Sequence, residues 1–232
     1  MSRKILLQIS ILSLTIFSCK LLKHKDNNIV KDFDGNVYHT VKIGTQTWLV
    51  ENLISTHYNN GEPIENVADS IKWIQLKTGA YCNFKNTESY SLIHGRLYNG
   101  YTVNDKRNIC PKGWHIPSDK EWTILTDFLG GEKIAGGKLK ESGTAHWTAP
   151  NKGANNESGF TAIPGGCRIT GMFYIWEERY DGNYARYWSS TVVDVGVGLE
   201  VVLVRFLNFY DTEVFRSSQS KEAGYFVRCI KD

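Results

Sequence analysis

The side chains of this 232-residue chain that could do chemistry are five cysteines and a few acidic and hydroxyl groups. Thiolates form disulfides and bind soft metals, and a pair of carboxylates can act as acid and base on a glycosidic bond. Glu177, Glu178 and Asp181 lie together in one aromatic-rich segment. Neighbouring carboxylates on a loop are usually solvated, so we assign them no catalytic role.

The remaining reactive side chains also lack the spacing that chemistry requires. Ser189 and Ser190 have no Gly-x-Ser-x-Gly frame, and no Cys-x-x-Cys or His-x-x-x-His pair occurs in the chain. His115, between Trp114 and Pro117, is expected to be a hydrogen-bonded structural histidine. We therefore predict no catalytic residue, no metal site and no cofactor.

The N-terminus has the features of an export signal. Arg3 and Lys4 precede an apolar stretch over residues 5–17, which is too short to span a membrane and is typical of a secretory signal. Residues 14–18 resemble a bacterial lipobox, which implies cleavage before Cys19, a diacylglycerol on its sulfur and an acyl chain on its new amine. Two or three chains anchor stably. The alternative is an ordinary cleaved signal, with Cys19 incidental.

These features divide the chain into a signal peptide (1–18), a lipidated cysteine with a flexible polar tether (19–31) and a folded domain (32–232). We expect the protein in the bacterial cell envelope, lipid-anchored to the outer membrane on its periplasmic or cell-surface face. The mature chain would carry 25 basic residues, because two of the 27 are removed, against 24 acidic residues. Nucleic-acid binding requires a basic stripe, so a nucleic-acid partner is not expected.

Export to an oxidising compartment makes the other four cysteines disulfide candidates. Cys82, Cys110, Cys167 and Cys229 allow three pairings. We favour Cys110–Cys229, because this bond would join the final strand to the segment that leads into a capped helix. A second pair, Cys82–Cys167, is the alternative to two buried free thiols.

The elements that would position these groups are one capped helix and several short strands. Ser118 and Glu121 form a capping box before apolar residues at helical spacing, and Gly130 ends the pattern, which predicts a helix over 118–129. Long ordered loops are predicted over 130–166. The mixture indicates an α+β fold. Strands, the first two forming a hairpin, are predicted at 37–42, 47–50, 187–193, 199–206, 213–216 and 224–230.

Motifs along the mature chain resemble one family, the Fibrobacter succinogenes major paralogous domain, which has no established biochemical role. The order of elements is similar to that of the C-type lectin-like and formylglycine-generating-enzyme folds. This resemblance implies one or two short helices, small antiparallel sheets, long ordered loops, a first helix over 97–103 and paired N- and C-terminal strands. The matching segments are 34–38, 41–48, 51–53, 78–82, 97–99, 110–122, 136–141, 157–162, 164–166, 187–191 and 224–229.

The chain departs from these relatives where their ligands bind. Residues 163–165 and 187–189 lack the carboxylates with which C-type lectins hold calcium. Cys229 stands alone in its strand, so the thiolate pair that binds copper in the formylglycine-generating enzymes is missing. Gly100 stands where the family usually has an aromatic residue, which predicts a gap beside it.

Aromatic residues outside the family motifs are the candidate ligand contacts: Trp73, Trp176, Tyr180 and Tyr184. Exposed aromatic side chains stack on sugar rings or fill pockets in a protein partner, although packing within a loop is the alternative. We expect a non-catalytic, envelope-anchored binding or adhesion module for a glycan or protein ligand. The alternatives are an enzyme related to the formylglycine-generating oxidases and a structural envelope protein.

Overall fold

The computed structural model describes residues 28–173 and 182–232. The predicted signal peptide, Cys19, Trp176 and Tyr180 lie outside the described residues. The described part has the predicted α+β architecture, with short helices set among small, mostly antiparallel sheets. None of its helices has the length and apolar character to cross a bilayer.

Within the described residues there are fourteen strands and five α-helices. The strands are β1 (Ile29–Lys31), β2 (Val37–Ile43), β3 (Gln46–Leu49), β4 (Glu65–Asn66), β5 (Ala80–Cys82), β6 (Leu97–Asn99), β7 (Trp114–His115), β8 (Arg168–Ile169), β9 (Met172–Phe173), β10 (Tyr184–Asp194), β11 (Glu200–Asn208), β12 (Phe215–Gln219), β13 (Gly224–Tyr225) and β14 (Ile230–Lys231). The helices are α1 (Ser70–Gln75), α2 (Glu88–His94), α3 (Gly100–Val103), α4 (Asp119–Phe128) and α5 (Glu132–Leu139).

The strands form three sheets, with orders β1-β2-β3-β14-β7, β10-β11-β12 and β4-β5-β6-β13-β8-β9. The first and last parts of the domain meet in the first sheet, where Trp48 of β3 lies opposite Ile230 of β14, as the resemblance implied. The predicted tether is too long by three residues, because β1 pairs with β2. Residues 29–31 of the predicted tether therefore belong to the folded domain.

The predicted hairpin and capped helix are confirmed. In α4 the Ser118 hydroxyl accepts from the backbone N–H of Glu121 at 3.3 Å, and the Glu121 carboxylate accepts from the N–H of Ser118 at 2.7 Å. The helix predicted over 97–103 was partly wrong. It is strand β6 followed by the single turn α3, which begins where the side chain of Asn99 accepts from the N–H of Thr102 at 2.9 Å.

The segment 130–166, predicted to be a loop, contains helix α5. The sequence pattern did not indicate this helix because two glycines lie in its interior. Glycine disfavours a helix interior. Here tertiary contact requires it, because a Cβ on Gly136 would lie 2.7 Å from the carbonyl oxygens of Thr212 and Glu213. A Cβ on Gly137 would lie 2.6 Å from the carbonyl oxygen of Gly153. The helix thus packs its bare backbone against two loops.

The favoured disulfide is confirmed. Cys110 and Cys229 are bonded, with Cα atoms 5.9 Å apart, and the bond ties the last strand to the segment before α4. The alternative second pair is not formed. Cys82 and Cys167 are free thiols, and both are buried.

An arginine at the centre of the core donates to loop carbonyls. Arg228 is fully buried, and its guanidinium donates to the carbonyls of Leu49 (3.0 Å) and Phe160 (2.7 Å) and to the side-chain oxygen of Asn52 (2.7 Å). The same group lies 4.3 Å from the centroid of the Phe160 ring. Burial lowers the pKa of Arg228. One side chain thus satisfies acceptors from two separate loops.

A buried lysine plays the same part behind α5. Lys140 donates from Nζ to the carbonyls of Lys152 (3.0 Å), Asn208 (2.9 Å) and Asp211 (2.8 Å). Its ammonium lies 5.4 Å from the centroid of the Trp147 ring. Burial lowers the pKa of Lys140 to about 8. The three carbonyls belong to two segments, at residue 152 and at residues 208–211, so the lysine helps to hold these segments together.

We predict that Arg228→Met lowers the free energy of unfolding by about 3 kcal/mol or more, since each buried acceptor left without a donor costs about 1–3 kcal/mol. Arg228→Lys should recover only part of this, because an ammonium cannot reproduce the planar fork. Chemical denaturation measures the difference. The exposed Lys120→Met is the control and should change stability by no more than about 0.5 kcal/mol. Equal stability of Arg228→Met and wild type would contradict the assignment.

The predicted structural role of His115 is confirmed. Its ring nitrogens lie 2.6 Å from Asp232 and 2.9 Å from Glu121, so it joins the C-terminal residue of the chain to the capping box. Burial lowers the pKa of His115, but hydrogen bonds to the carboxylates of Asp232 and Glu121 outweigh it and leave the pKa raised. Burial raises the pKa of Glu121, and hydrogen bonds from Ser118 and His115 outweigh it and leave the pKa lowered.

These directions predict how stability depends on pH. A histidine with a raised pKa contributes fully below its unfolded value of about 6.5, and the contribution disappears as the pH rises through the folded value. The difference in melting temperature between wild type and His115→Gln should therefore be largest near pH 6 and shrink toward pH 8.5. Thermal melts across this range measure it, and a difference that does not vary with pH would refute the ion pairs.

Candidate functional site

The aromatic residues predicted to contact a ligand do not form a site within the described residues. Trp73 as an exposed contact was wrong: the side chain is fully buried, and its indole N–H donates to the carbonyl of Glu222 at 2.6 Å. It is buried because α1 turns this residue toward the core and leaves its other face outside. Tyr184 is half-buried on β10, with the guanidinium of Arg186 4.2 Å from its ring centroid. Trp176 and Tyr180 lie outside the described residues.

A polar cleft lies instead beside Glu222, the residue whose carbonyl accepts the hydrogen bond from Trp73. Two adjoining cavities of about 430 and 330 Å³ share Lys77, Tyr101 and Lys221, and we call them together the Tyr101 cleft. The other residues that line it are Thr78, Gly79, Asn104, Asp105, Lys106, Arg107, Gly198, Leu199, Glu200, Ser220 and Glu222.

Close backbone contact positions the centre of the Tyr101 cleft. The N–H of Gly100 donates to the carbonyl of Lys221 at 2.8 Å, and a Cβ on Gly100 would lie 2.8 Å from the Lys221 Cα. The gap expected at Gly100 is therefore filled by the Lys221 backbone. This approach sets the ring of the next residue, Tyr101, near two lysines, with the Nζ atoms of Lys77 and Lys221 each 5.8 Å from its centroid.

A shared carboxylate fixes the polar groups around the ring. Oε1 of Glu222 accepts from the Tyr101 hydroxyl at 3.0 Å and from Lys77 Nζ at 2.8 Å. Burial raises the pKa of Glu222, but hydrogen bonds from Lys77 and Tyr101 leave it lowered, and the hydrogen bond to Glu222 raises the pKa of Lys77. Burial and Glu222 raise the pKa of Tyr101. All three groups therefore hold one charge state around neutral pH.

The opposite wall of the Tyr101 cleft is also built from paired charges. Arg107 donates from Nε and Nη2 to both carboxylate oxygens of Asp105, at 2.9 and 2.6 Å, and stacks 3.8 Å from the centroid of the Tyr58 ring. These bonds hold the pKa of Asp105 below its usual value against the effect of burial. Lys221 donates to Glu200 at 2.5 Å.

The result is a half-open cleft with an aromatic ring and fixed hydrogen-bond donors and acceptors of both signs. A hydroxyl-rich ligand suits such a surface, because each hydroxyl can donate to a carboxylate and accept from an ammonium or guanidinium group. No local pattern in the sequence indicates this cleft. Its residues come from four distant segments, around 77–79, 101–107, 198–200 and 220–222, which meet only in the folded chain.

The free thiols are poorly placed for chemistry. Burial raises the pKa of Cys82 to about 12 and also raises the pKa of Cys167. Both thiols are therefore neutral at physiological pH. In the part of the chain that the structure describes, no group of three or more His, Cys, Asp or Glu side chains has the geometry to hold a metal ion.

A larger cavity of about 830 Å³ lies at the N-terminal end of α1 and has a mainly apolar lining. The guanidinium group of Arg168, which lines this cavity, is used in hydrogen bonds that stabilise the fold. Arg168 is buried and donates to the carbonyls of Val67, Ala68 and Gly171 at 2.6, 2.8 and 2.9 Å. We call this the α1 cavity; its lining includes Asp69, Ser70, Asn86, Ile169, Thr170, Met172 and Phe173.

Comparison with known proteins identifies the family. The family model described as the Fibrobacter succinogenes major domain matches residues 41–231, which is most of the chain. No curated protein and no solved structure matches the chain. The match contains β3, α4, the disulfide and Arg228, which are the features that organise the fold. The chain belongs to the Fibrobacter succinogenes major domain family.

Proposed function

We propose that this protein is an envelope-anchored, non-catalytic binding module that recognises a glycan in the Tyr101 cleft. The observation that carries the proposal is the network around Glu222, which holds Tyr101 and Lys77 in fixed positions at the edge of an open cleft. A ligand would meet groups already in place and lose little affinity to ordering them.

The chemistry of the cleft favours a glycan over a protein ligand. A protein partner usually buries a larger and more apolar contact at the core of its interface, whereas the Tyr101 cleft is small and is lined by charged groups of both signs. Sugar rings combine apolar faces with many hydroxyls. The Tyr101 ring suits the faces, and Asp105, Glu200 and Lys106 at the rim suit the hydroxyls.

The charge states in the cleft support binding without catalysis. A general acid or base works best when its pKa lies near the operating pH. In the Tyr101 cleft the pKa values of Glu222 and Asp105 are lowered, and those of Lys77 and Tyr101 are raised, so each shift leads away from neutrality. The neutral, buried thiols also lack the reactivity that a copper-dependent oxidase of the formylglycine-generating type requires.

A lipid on Cys19 would keep the module close to the membrane. Because β1 begins at Ile29, the tether shortens to residues 20–28, which span at most about 30 Å when fully extended. We propose that the protein is held in this way on the outer membrane, on its periplasmic or cell-surface face. A glycan ligand within that reach, in the envelope or on a neighbouring surface, fits the arrangement.

The test is glycan binding by the full chain, extracted in detergent from the envelope fraction and applied to an array of neutral and acidic glycans. Tyr101→Ala should weaken binding about tenfold, the loss expected for one aromatic contact of about 1.4 kcal/mol. Tyr210→Ala, which removes an exposed tyrosine that does not line the cleft, is the control and should bind as wild type does.

Two outcomes would contradict the proposal. One is the absence of any bound glycan, and the other is binding that Tyr101→Ala leaves unchanged. Trp176→Ala belongs in the same experiment, because Trp176 is the sequence-based candidate. If Trp176→Ala weakens binding and Tyr101→Ala does not, the ligand site lies in the aromatic-rich segment instead.

A further inference from the structure

The two cavities of the Tyr101 cleft differ in charge. The larger one, of about 430 Å³, is lined by four cationic side chains and one carboxylate among the described residues, and we call it the cationic lobe. The smaller one, of about 330 Å³, is lined by two lysines and two glutamates, and we call it the mixed lobe. The charged residues of the cationic lobe are Lys77, Lys106, Arg107, Lys221 and Asp105, and those of the mixed lobe are Lys77, Lys221, Glu200 and Glu222.

The ion pairs of the two shared lysines preserve this difference. Lys77 is paired with Glu222 and Lys221 with Glu200, and both glutamates line the mixed lobe but not the cationic lobe. An ammonium group has three donors, so a single carboxylate partner leaves donors for a ligand. Each pair is thus a dipole whose negative end belongs to the mixed lobe alone.

Arg107 is neutralised within the wall of the cationic lobe. Its guanidinium is paired with Asp105, which lines the same lobe, and with Glu62, which lines neither lobe. These bonds fix the group in place against the Tyr58 ring. The excess positive charge of the cationic lobe therefore comes from its three lysines.

Lys106 contributes a full charge to the cationic lobe. It is exposed, and no ion pair joins it to another residue in the part of the chain that the structure describes. An exposed lysine is usually only solvated. At the wall of a cavity that two more lysines line, its charge adds to theirs, because a cleft lined mainly by one sign of charge concentrates the field. Such a cavity attracts an anionic group.

We propose that the ligand of the Tyr101 cleft is an acidic glycan, with a carboxylate or sulfate group in the cationic lobe and neutral hydroxyls in the mixed lobe. This inference rests on the proposed function, because it takes the cleft to be a glycan site. The Tyr101 ring lines both lobes, and the Nζ atoms of Lys77 and Lys221 lie 5.8 Å from its centroid. A sugar stacked on this ring therefore brings its substituents to both lobes.

The mixed lobe fixes the orientation of the sugar. Glu200 and Glu222 repel an anionic substituent there and accept hydrogen bonds from hydroxyls. The charged group of the sugar is thereby directed to the cationic lobe. A small inorganic anion would leave the Tyr101 ring and the mixed lobe without contacts, so the two lobes together favour an anion carried on a sugar.

Binding of matched oligosaccharides by the full chain, extracted in detergent, tests the charge of the ligand. Each neutral oligosaccharide of a panel is compared with its C6-carboxylate and 6-O-sulfate forms. The best-bound member should be acidic and bind at least about tenfold more tightly than its neutral form, the effect of one hydrogen bond to a charged group. This advantage should shrink as sodium chloride rises from about 20 to about 500 mM, because salt screens exposed charges.

Lys106→Glu tests the cationic lobe without disturbing the fold, because Lys106 is exposed. It should weaken binding of the acidic form about tenfold, since an attraction becomes a repulsion, and change binding of the neutral form less than about twofold. The control is Lys120→Glu, which makes the same charge change at an exposed lysine that does not line the cleft and should bind as wild type does. Equal melting temperatures check that both variants are folded.

The outcomes separate this inference from the proposed function. If the best-bound glycan is neutral and Tyr101→Ala weakens its binding, the cleft is a glycan site but the inference of an acidic ligand is overturned. Preference for an acidic form that Lys106→Glu leaves unchanged would also overturn it. If no member of the panel binds, both the inference and the proposed function fail.

Discussion

Buried cations that donate to loop carbonyls are the interaction on which this fold depends. Much of the chain runs in loops between short strands, and their carbonyls have no ladder partner, yet many are buried and must be satisfied. Arg228, Lys140 and Arg168 each satisfy two or three buried carbonyls, in loops or at strand ends, from segments far apart in the sequence. Burying a charge is unfavourable, and these hydrogen bonds together with neighbouring aromatic rings offset it.

This constraint explains what the family motifs do. The motif over 136–141 contains the bare glycines of α5 and ends beside Lys140, and the motif over 224–229 places Arg228 directly before the disulfide cysteine. Both motifs help to fix the loop conformations, and none of their residues lines the Tyr101 cleft. The shared sequence thus specifies a scaffold. In the proposed function, recognition falls to side chains such as Tyr101, which lies outside the motifs.

Features that depend on local sequence could be predicted, and features that depend on contacts between distant residues could not. The capping box of α4, the first hairpin and the disulfide follow from spacing and compartment. The burial of Lys140 could not be read from the sequence, because a lysine in a polar stretch has the pattern of a surface residue. Helix α5 was concealed by glycines that serve packing, and Trp73 was misplaced because its burial depends on β13. The Tyr101 cleft is formed by four segments that are distant in the sequence, so no single pattern indicated it.

The most direct test of the buried cations is hydrogen exchange of Lys140→Met, read by mass spectrometry. The three carbonyls that lose their donor belong to residues 152, 208 and 211, so exchange should accelerate in the segments 141–163 and 208–213 while the β2–β3 hairpin stays protected. Lys120→Met, which removes an exposed lysine from α4, should exchange as wild type does. Unchanged protection of those two segments in Lys140→Met would show that the loops hold their path without the cation.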